Sequence, residues 1–209
     1  MSGISSIPEV REFYNAVADT YAKMMGEEIK LPMYDRVLSH LASQIEGIEG
    51  FILDTSCGSG HMLEELGTRY APNRERVGID LSPEMVGLAA RRLGDTVSVS
   101  QGDMRKLDAI ADDSCAAVLS FFALHHVDLD TVEACFIEWY RVLKPGGCLL
   151  VVTWEGEGQV DYGDQTDVVA YRYKANQLAD RLGEYQSQSS QIERFEEMEM
   201  DAIIIEATK

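Results

Sequence analysis

The sequence has few cysteines, few basic residues and no long apolar run. Its four cysteines form no CxxC pair, and no histidine lies at a spacing typical of zinc sites, so we expect reduced thiols and no metal. No stretch approaches the roughly 18 apolar residues that span a bilayer, and Met1–Pro8 lacks the pattern of a signal peptide. These absences favour a cytoplasmic protein that does not enter a membrane.

Basic side chains are outnumbered two to one, with 18 lysines and arginines against 36 aspartates and glutamates and a net charge of −18. Such a chain repels phosphate backbones, so we exclude nucleic acid as a partner. The acidity can indicate a cationic substrate, but net charge acts first on solubility, and we favour that interpretation. At 209 residues the chain is expected to form one domain, as a monomer or homodimer.

Hydrophobic periodicity predicts strands that alternate with helices. Two helices come first, with Pro8 and Pro32 suited to their first turns. The pattern then predicts strands at 51–54, 76–80, 97–101, 116–122, 148–154 and 202–207, and helices at 61–70, 82–93, 129–143 and 167–182. This alternation indicates a parallel sheet with right-handed crossovers, and such sheets bind ligands at the carboxyl ends of their strands.

A glycine-rich turn follows the first strand, where Leu53–Gly60 reads LDTSCGSG. Gly58 and Gly60 allow a sharp turn and close approach of a ligand, and the following helix directs free N–H groups at an anion. A purely structural turn explains the glycines as well. Asp80 ends the next strand, where its carboxylate can accept hydrogen bonds from a ribose diol. Alternatively, Asp80 is a surface acid that caps the helix from Ser82.

The same two features also suit a nicotinamide dinucleotide. The dinucleotide fingerprint GxGxxG needs a third glycine at position 63, where this chain has Leu63. We expect Leu63 to hold the helix away from the strand, which a ligand without a pyrophosphate tolerates. S-adenosylmethionine is such a ligand, because its only anionic group is the methionine carboxylate.

Three further motifs follow later strands. Gly102-Asp103-Met104 comes after the third, where Asp103 can accept the adenine amine and Met104 can pack on the ring edge. The segment Ser120–His126, reading SFFALHH, leaves the fourth strand. Leu143–Gly147, reading LKPGG, is the turn into the fifth strand.

In order and spacing these five motifs resemble the core of the class I S-adenosylmethionine-dependent methyltransferases, of the small "methyltransferase domain 11" type. The resemblance covers residues 51–154, is especially typical in VGIDLSPEM at Val77–Met85, and includes the leading helix FYNAVADTYA at Phe13–Ala22. It implies an α/β fold: a Rossmann-like, doubly wound, mostly parallel seven-stranded sheet with helices on both faces and an antiparallel last strand. It also implies one domain over 1–209, with a helical lid at 1–48, a cofactor-binding core at 49–154, and substrate-side and C-terminal strands at 155–209.

The resemblance further implies a site for S-adenosylmethionine, in which Asp80 holds the ribose, Leu81 packs on the adenine and Asp103 takes the adenine amine. Ser56 departs from the family, which usually has glycine there; if the position needs a positive φ, serine costs about 1 kcal/mol. The implied cofactor-binding residues are Tyr14, Tyr21, Asp54, Ser56, Cys57, Gly58, Gly60, Asp80, Leu81, Met85, Gly102, Asp103, Met104, Ser120 and Phe121.

The implied reaction is in-line transfer of a methyl group to a small-molecule acceptor, with S-adenosylhomocysteine as the product. Positioning supplies much of such catalysis, although a hydroxyl or ammonium acceptor can need a base. His125 is the first candidate base, followed by His126 and Tyr14; alternatively, the histidines only stabilise the turn. A binding-only sensor of the cofactor and a protein methyltransferase stay open as alternatives.

Tyr14 and Tyr21 lie two helical turns apart, so both rings project from one face of the first helix. They could close over the cofactor as a lid, or pack permanently in the core with Phe13 and Val17. Four later aromatic residues could form walls of the substrate site or equally belong to the core: Trp154, Tyr162, Tyr171 and Tyr173.

Overall fold

A single seven-stranded sheet forms the centre of the structure, a computed structural model that describes residues 3–160, 166–195 and 200–209. Tyr162, one of the expected aromatic walls, lies outside these ranges. The strands are β1 (Phe51–Asp54), β2 (Arg76–Asp80), β3 (Ser98–Gln101), β4 (Cys115–Phe121), β5 (Leu143–Trp154), β6 (Gln186–Phe195) and β7 (Met200–Thr208). The α-helices are α1 (Ile7–Glu28), α2 (Pro32–Gln44), α3 (His61–Glu65), α4 (Pro83–Leu93), α5 (Leu129–Val142) and α6 (Ala175–Ala179).

The strand order is β3-β2-β1-β4-β5-β7-β6, in which β1 to β5 run parallel and β7 runs antiparallel to both of its neighbours. The chain builds outward from β1 to β3, then crosses to β4 on the other side of β1. The order therefore reverses between β1 and β4, the switch point at which doubly wound sheets bind ligands. The predicted fold class, with its antiparallel last strand, is confirmed.

Alternating side chains of the buried strands supply two cores, one on each face of the sheet. On one face, Leu119 and Val152 pack with Tyr34 of α2. On the other face, Val118 packs with Trp139 of α5. Because both faces of β4 are covered, all seven of its residues are buried, as expected for a central parallel strand.

The helix predicted at 167–182 is wrong over most of its length, since only Ala175–Ala179 is helical there. The residues before it pair with other segments instead: the Tyr171 N–H donates to the His125 carbonyl at 2.8 Å, and Tyr173 forms an isolated bridge with Glu155. Tertiary pairing thus overrides the helical spacing of the apolar residues. Strand β6 is absent from the strands predicted by periodicity, because this exposed edge strand carries few apolar residues.

Leu63 does not hold α3 away from the sheet, contrary to expectation. It is fully buried, and a Cβ added to Gly78 of β2 would lie 2.9 Å from the Leu63 Cδ1 atom. In a dinucleotide-binding fold, a glycine in the helix lets the helix and the strand pack closely. Here Gly78 in the strand leaves room for the Leu63 side chain instead.

The four thiols, Cys57, Cys115, Cys135 and Cys148, are free and buried. Among the described residues, no cluster of three His, Cys, Asp or Glu side chains could hold a metal ion. None of the described helices combines the length and apolar character needed to cross a bilayer.

Candidate cofactor and acceptor site

A cleft of about 660 Å³ opens at the carboxyl ends of β1, β2 and β4 and is covered by α1. We call it the strand-end cleft; it is lined by Ile7, Val10, Tyr14, Tyr21, Thr55, Ser56, Gly58, Asp80, Leu81, Met85, Gly102, Asp103, Met104, Phe121, Phe122, Ala123, His126 and Val127. Eleven of the fifteen expected cofactor residues are in this lining. Asp54 and Cys57 line a smaller adjoining cavity, whereas Gly60 and Ser120 are in neither lining.

The glycine turn has the backbone that its sequence predicts. Gly58 and Gly60 have φ of 51° and 87°, and a Cβ at Gly60 would lie 2.9 Å from Leu93 of α4. Ser56 is not among the described non-glycine residues with positive φ, so the condition for strain at this position is not met. Its hydroxyl instead lies 3.5 Å from the Ser120 hydroxyl.

Asp80 connects the glycine turn to the start of α4. Its Oδ2 accepts from the Gly58 N–H at 2.8 Å and its Oδ1 from the Ser82 N–H at 2.9 Å. The cap of α4 is Ser82 itself, whose hydroxyl accepts from the Met85 N–H at 3.1 Å. Burial raises the pKa of Asp80 above its ordinary value. Each carboxylate oxygen has a second lone pair, so Asp80 can still accept from a ligand hydroxyl.

Asp54 and His61 meet at the adjoining cavity of about 330 Å³, which we call the loop cavity. The Asp54 carboxylate accepts from the Ser56 N–H at 3.1 Å, and burial raises its pKa to about 7. The His61 Nδ1 lies 3.0 Å from the Ser59 hydroxyl, while its buried Nε2 has no hydrogen-bond partner among the described residues. The Nε2 atom faces Gly26 of α1, and a Cβ added to Gly26 would lie 3.8 Å from Nε2.

This arrangement fits the amino-acid end of S-adenosylmethionine. A buried carboxylate can pair with an ammonium group, and an unsatisfied ring nitrogen can donate to a carboxylate. His61 was not anticipated from the sequence, because its role depends on a contact with α1 that the turn motif does not specify.

Asp103 lines the strand-end cleft, but Arg105 already binds its carboxylate. The Arg105 Nε lies 2.9 Å from Oδ1, and Nη2 lies 2.5 Å from Oδ2. The Arg105 backbone N–H also donates to Oδ1 at 3.0 Å, so of the roughly four acceptor positions of a carboxylate one, on Oδ2, remains for an amine. Arg105 was not anticipated as its partner.

A third cavity, of about 990 Å³, lies along α1 and opens beside the strand-end cleft. This α1 cavity is lined by Phe13, Tyr14, Val17, Thr20, Tyr21, Met24, Glu28, Phe122, His125 and Trp154. Tyr14, Tyr21 and Phe122 line both spaces. Trp154 lines this cavity and is also buried in the sheet core, so both alternatives left open by the sequence apply to it. Tyr171 and Tyr173 are not in this lining, and the buried Tyr173 hydroxyl donates to the Val127 carbonyl.

The three candidate bases meet where the two spaces adjoin. The Tyr14 hydroxyl lies 2.8 Å from the His126 Nε2, and the rings of His125 and His126 are 4.1 Å apart. Burial lowers the pKa of His126 to about 4 and that of His125 well below its ordinary value, so both rings are neutral at pH 7. Both Nδ1 atoms are buried without a partner among the described residues.

Phe122 is a site residue that the sequence analysis missed. It lines all three cavities and has φ of 48°, a conformation that costs a non-glycine residue roughly 1–2 kcal/mol. Two contacts hold it: its N–H donates to the Val152 carbonyl at 2.7 Å, and its ring centroid lies 4.4 Å from that of Trp154. No sequence signal marks a phenylalanine with positive φ.

The predicted lid at 1–48 divides into two parts with different packing. Helix α2 buries Met33, Tyr34 and Val37 in the sheet core, so it serves as scaffold. Helix α1 covers the cleft and is tied to α4 by the Ser82 hydroxyl, which donates to the Asn15 side chain at 2.6 Å. The lid hypothesis therefore concerns α1 alone.

Known proteins match this chain in sequence over part of its length. Residues 52–147 match the sequence profile of the family described as "Methyltransferase domain". A demethylmenaquinone methyltransferase of Chlorobaculum parvum is 30% identical over 148 residues, which are 68% of this chain and 58% of that protein. The chain spans a little over half the length of the first curated relatives that it matches.

Solved structures share the fold. A structure of the [4+2]-cyclase SpnF aligns over 100% of this chain and 99% of its own, with a TM-score of 0.73 and 19% identity. Phosphoethanolamine N-methyltransferase 2 of Haemonchus contortus, in complex with S-adenosyl-L-methionine, aligns over 99% of this chain and 60% of its own, with a TM-score of 0.75 and 16% identity. Residues 52–147, a little under half of the chain, thus match the methyltransferase domain family, and the whole chain has the fold of the class I S-adenosylmethionine-dependent methyltransferases.

Proposed function

We propose that the protein transfers the methyl group of S-adenosylmethionine to a small-molecule acceptor by in-line displacement. The observation that carries the proposal is the shared wall of Tyr14, Tyr21 and Phe122 between the strand-end cleft and the α1 cavity. Two adjoining spaces can hold a methyl donor and an acceptor side by side, and such alignment supplies much of the catalysis of a bimolecular reaction.

The residues of the strand-end cleft and the loop cavity fit the donor. Asp80 would accept from the ribose hydroxyls, and Leu81 and Met85 would contact the adenine. Asp54 and His61 would hold the ammonium and carboxylate of the amino-acid end. S-adenosylmethionine, when bound, supplies a methyl group that its sulfonium makes electrophilic. The cleft lining carries two acids and no lysine or arginine among its described residues, which favours a cation.

Tyr14 and His126 can remove a proton from an acceptor hydroxyl. With the His126 proton on Nδ1, Nε2 accepts from the Tyr14 hydroxyl, as their 2.8 Å separation allows. The acceptor proton would pass to the Tyr14 oxygen as the Tyr14 proton passes to Nε2. Since burial makes His126 a weak base, with a pKa of about 4, the transfer must occur while the bond to the methyl group forms and the acceptor oxygen becomes acidic.

The alternative of a binding-only sensor loses part of its support. A strained serine at position 56 and a site without a base would favour such a sensor. Ser56 does not have a positive φ, and Tyr14 and His126 form a hydrogen-bonded pair beside the cleft. The [4+2]-cyclase nevertheless has the same fold, so turnover has to be measured directly.

The test is production of S-adenosylhomocysteine from S-adenosylmethionine with a panel of small acceptors, followed by mass spectrometry. Tyr14→Phe removes only the hydroxyl, so we expect kcat to fall by roughly 10²–10⁴-fold while affinity for S-adenosylhomocysteine changes little. Tyr140→Phe is the matched control, because it removes the same hydroxyl from a tyrosine of α5 that lines none of the three cavities. Wild-type protein that binds the cofactor but methylates no acceptor would support the sensor instead.

A further inference from the structure

We infer that the acceptor is an uncharged, elongated apolar compound whose hydroxyl group reacts at Tyr14, and that the α1 cavity rejects phosphorylated and carboxylated acceptors. This inference rests on the proposed function, since it assigns the α1 cavity to the acceptor.

The shape of the α1 cavity follows from the residues that α1 contributes. They lie on one face of the helix, from Phe13 to Glu28. The fifteen steps from Phe13 to Glu28, at 1.5 Å each, give a length of roughly 22 Å. An extended molecule therefore fits better than a compact one.

The walls are apolar along most of this length. Phe13, Val17 and Met24 of α1 face Phe122 and Trp154 of the sheet, and the two latter rings are in contact with one another. Aromatic and aliphatic walls stabilise an apolar ligand by removing its surface from water.

The cavity offers no cation to an anionic acceptor. Its described lining contains no lysine or arginine, and the segments outside the described ranges, 1–2, 161–165 and 196–199, have neither in their sequence. His125 is neutral, because burial lowers its pKa well below the ordinary value. Glu28 is the one carboxylate of the described lining, and it accepts a hydrogen bond from the Tyr34 hydroxyl. A phosphate or carboxylate would lose its hydration and find no cation in the described lining to replace it.

Glu28 also cannot serve a reacting ammonium group. It lies fourteen residues beyond Tyr14 on the same helix, which places it roughly 21 Å along the axis. Tyr14 and Tyr21 mark the reacting end, because both line the α1 cavity and the strand-end cleft, and Glu28 is still seven residues, or roughly 10 Å, beyond Tyr21. A cationic amine at that end would therefore be buried without an acidic partner in the cavity lining.

The test uses three probes that differ only in their polar head: 4-octylphenol, 4-octylphenyl phosphate and 4-octylbenzylamine. Calorimetry with protein saturated in S-adenosylhomocysteine should give the phenol an affinity at least roughly tenfold higher than either charged probe. Phenol without the chain should bind more weakly than 4-octylphenol, because it leaves most of the cavity unfilled.

A lysine placed in the wall of the α1 cavity should raise the affinity for the phosphate probe. Thr20 is exposed and lines the α1 cavity, so Thr20→Lys is compatible with folding. We expect this variant to bind the phosphate probe roughly tenfold more tightly than the matched variant Thr20→Gln, with equal affinity for S-adenosylhomocysteine in both. Equal or tighter binding of the phosphate or amine probe by wild-type protein would overturn the inference, as would indistinguishable Lys and Gln variants.

Failure of the inference can be separated from failure of the proposed function. If the protein methylates an anionic or cationic acceptor, the acceptor class is wrong and methyl transfer stands. If the probes bind as expected but no methyl transfer to any acceptor is detected, the proposed function is wrong.

Discussion

Phe122 allows a stability test of the site's backbone. It leaves β4 with φ of 48°, and its ring is partly buried against Trp154. Phe122→Ala removes the ring and keeps the unfavourable conformation, whereas Phe122→Gly removes the ring and makes the conformation acceptable. Both variants lose packing, at a cost below the roughly 3–5 kcal/mol of a fully buried phenylalanine. The difference in the free energy of unfolding between the two variants isolates the cost of the backbone conformation.

The neighbouring Phe121 provides the reference, because it lies in β4 without a positive φ. In an ordinary strand, glycine is less stable than alanine by roughly 0.5–1 kcal/mol. The left-handed conformation at 122 should offset that deficit by roughly 1–2 kcal/mol. We therefore expect Phe122→Gly to equal or exceed Phe122→Ala in stability, while Phe121→Gly is less stable than Phe121→Ala.

Urea unfolding measures all four variants, with the midpoint and slope giving the free energy of unfolding. The comparison requires two-state transitions with equal slopes in each alanine–glycine pair. If the glycine variant is less stable than the alanine variant by the same amount at both positions, Phe122 is not held in a left-handed conformation, and the shape of the shared wall is wrong.

Four further predictions concern the cofactor side. Asp80→Ala should weaken binding of S-adenosylhomocysteine by roughly 1–3 kcal/mol, and an unchanged dissociation constant in calorimetry would remove Asp80 from the site. Ser56→Gly should neither stabilise the protein nor tighten cofactor binding, because no strain is relieved; a gain in either would show that the turn needs glycine there. The pKa of Asp54 is raised from 3.8 to about 7, so the folded state retains a proton that the unfolded chain loses, and the free energy of unfolding should fall as pH rises from about 4 to 7. Asp54→Asn should lessen that fall in urea unfolding measured across this pH range. An identical pH profile for the variant and the wild type would contradict the raised pKa. Residues 10–25 of α1 should gain protection in hydrogen exchange when S-adenosylhomocysteine is added, whereas equal protection would leave α1 as scaffold and withdraw Tyr14 and Tyr21 from the site.

The central sheet could be predicted from the sequence because each strand ends in a recognisable turn. The strands at Phe51–Asp54 and Arg76–Asp80 have the predicted bounds, and the cap at Ser82 begins α4 where its serine-proline pair indicates. These elements depend on local periodicity and turn chemistry, which a single sequence contains.

The C-terminal part was less predictable, because contacts distant in sequence determine it. Residues 167–174 carry a helical spacing of apolar side chains, yet they pair with segments near His125 and Glu155. Strand β6 is an exposed edge that requires only backbone pairing with β7, so its side chains show little pattern.

The site shows the same division between local and distant contacts. Gly58, Asp80 and Tyr14 could be identified because each belongs to a motif at a strand end or on the first helix. His61 and Phe122 could not be identified, because their roles depend on contacts distant in sequence. His61 faces α1, and Phe122 is held by Trp154 and the Val152 carbonyl.

Binding of S-adenosylhomocysteine to the full chain tests the central claim most directly. Calorimetry should show one molecule bound per chain. NADH should produce no binding at millimolar concentration, because the described lining of the strand-end cleft carries two acids and no lysine or arginine to meet a pyrophosphate. Binding of NADH without binding of the adenosyl ligand would contradict the assignment of the strand-end cleft.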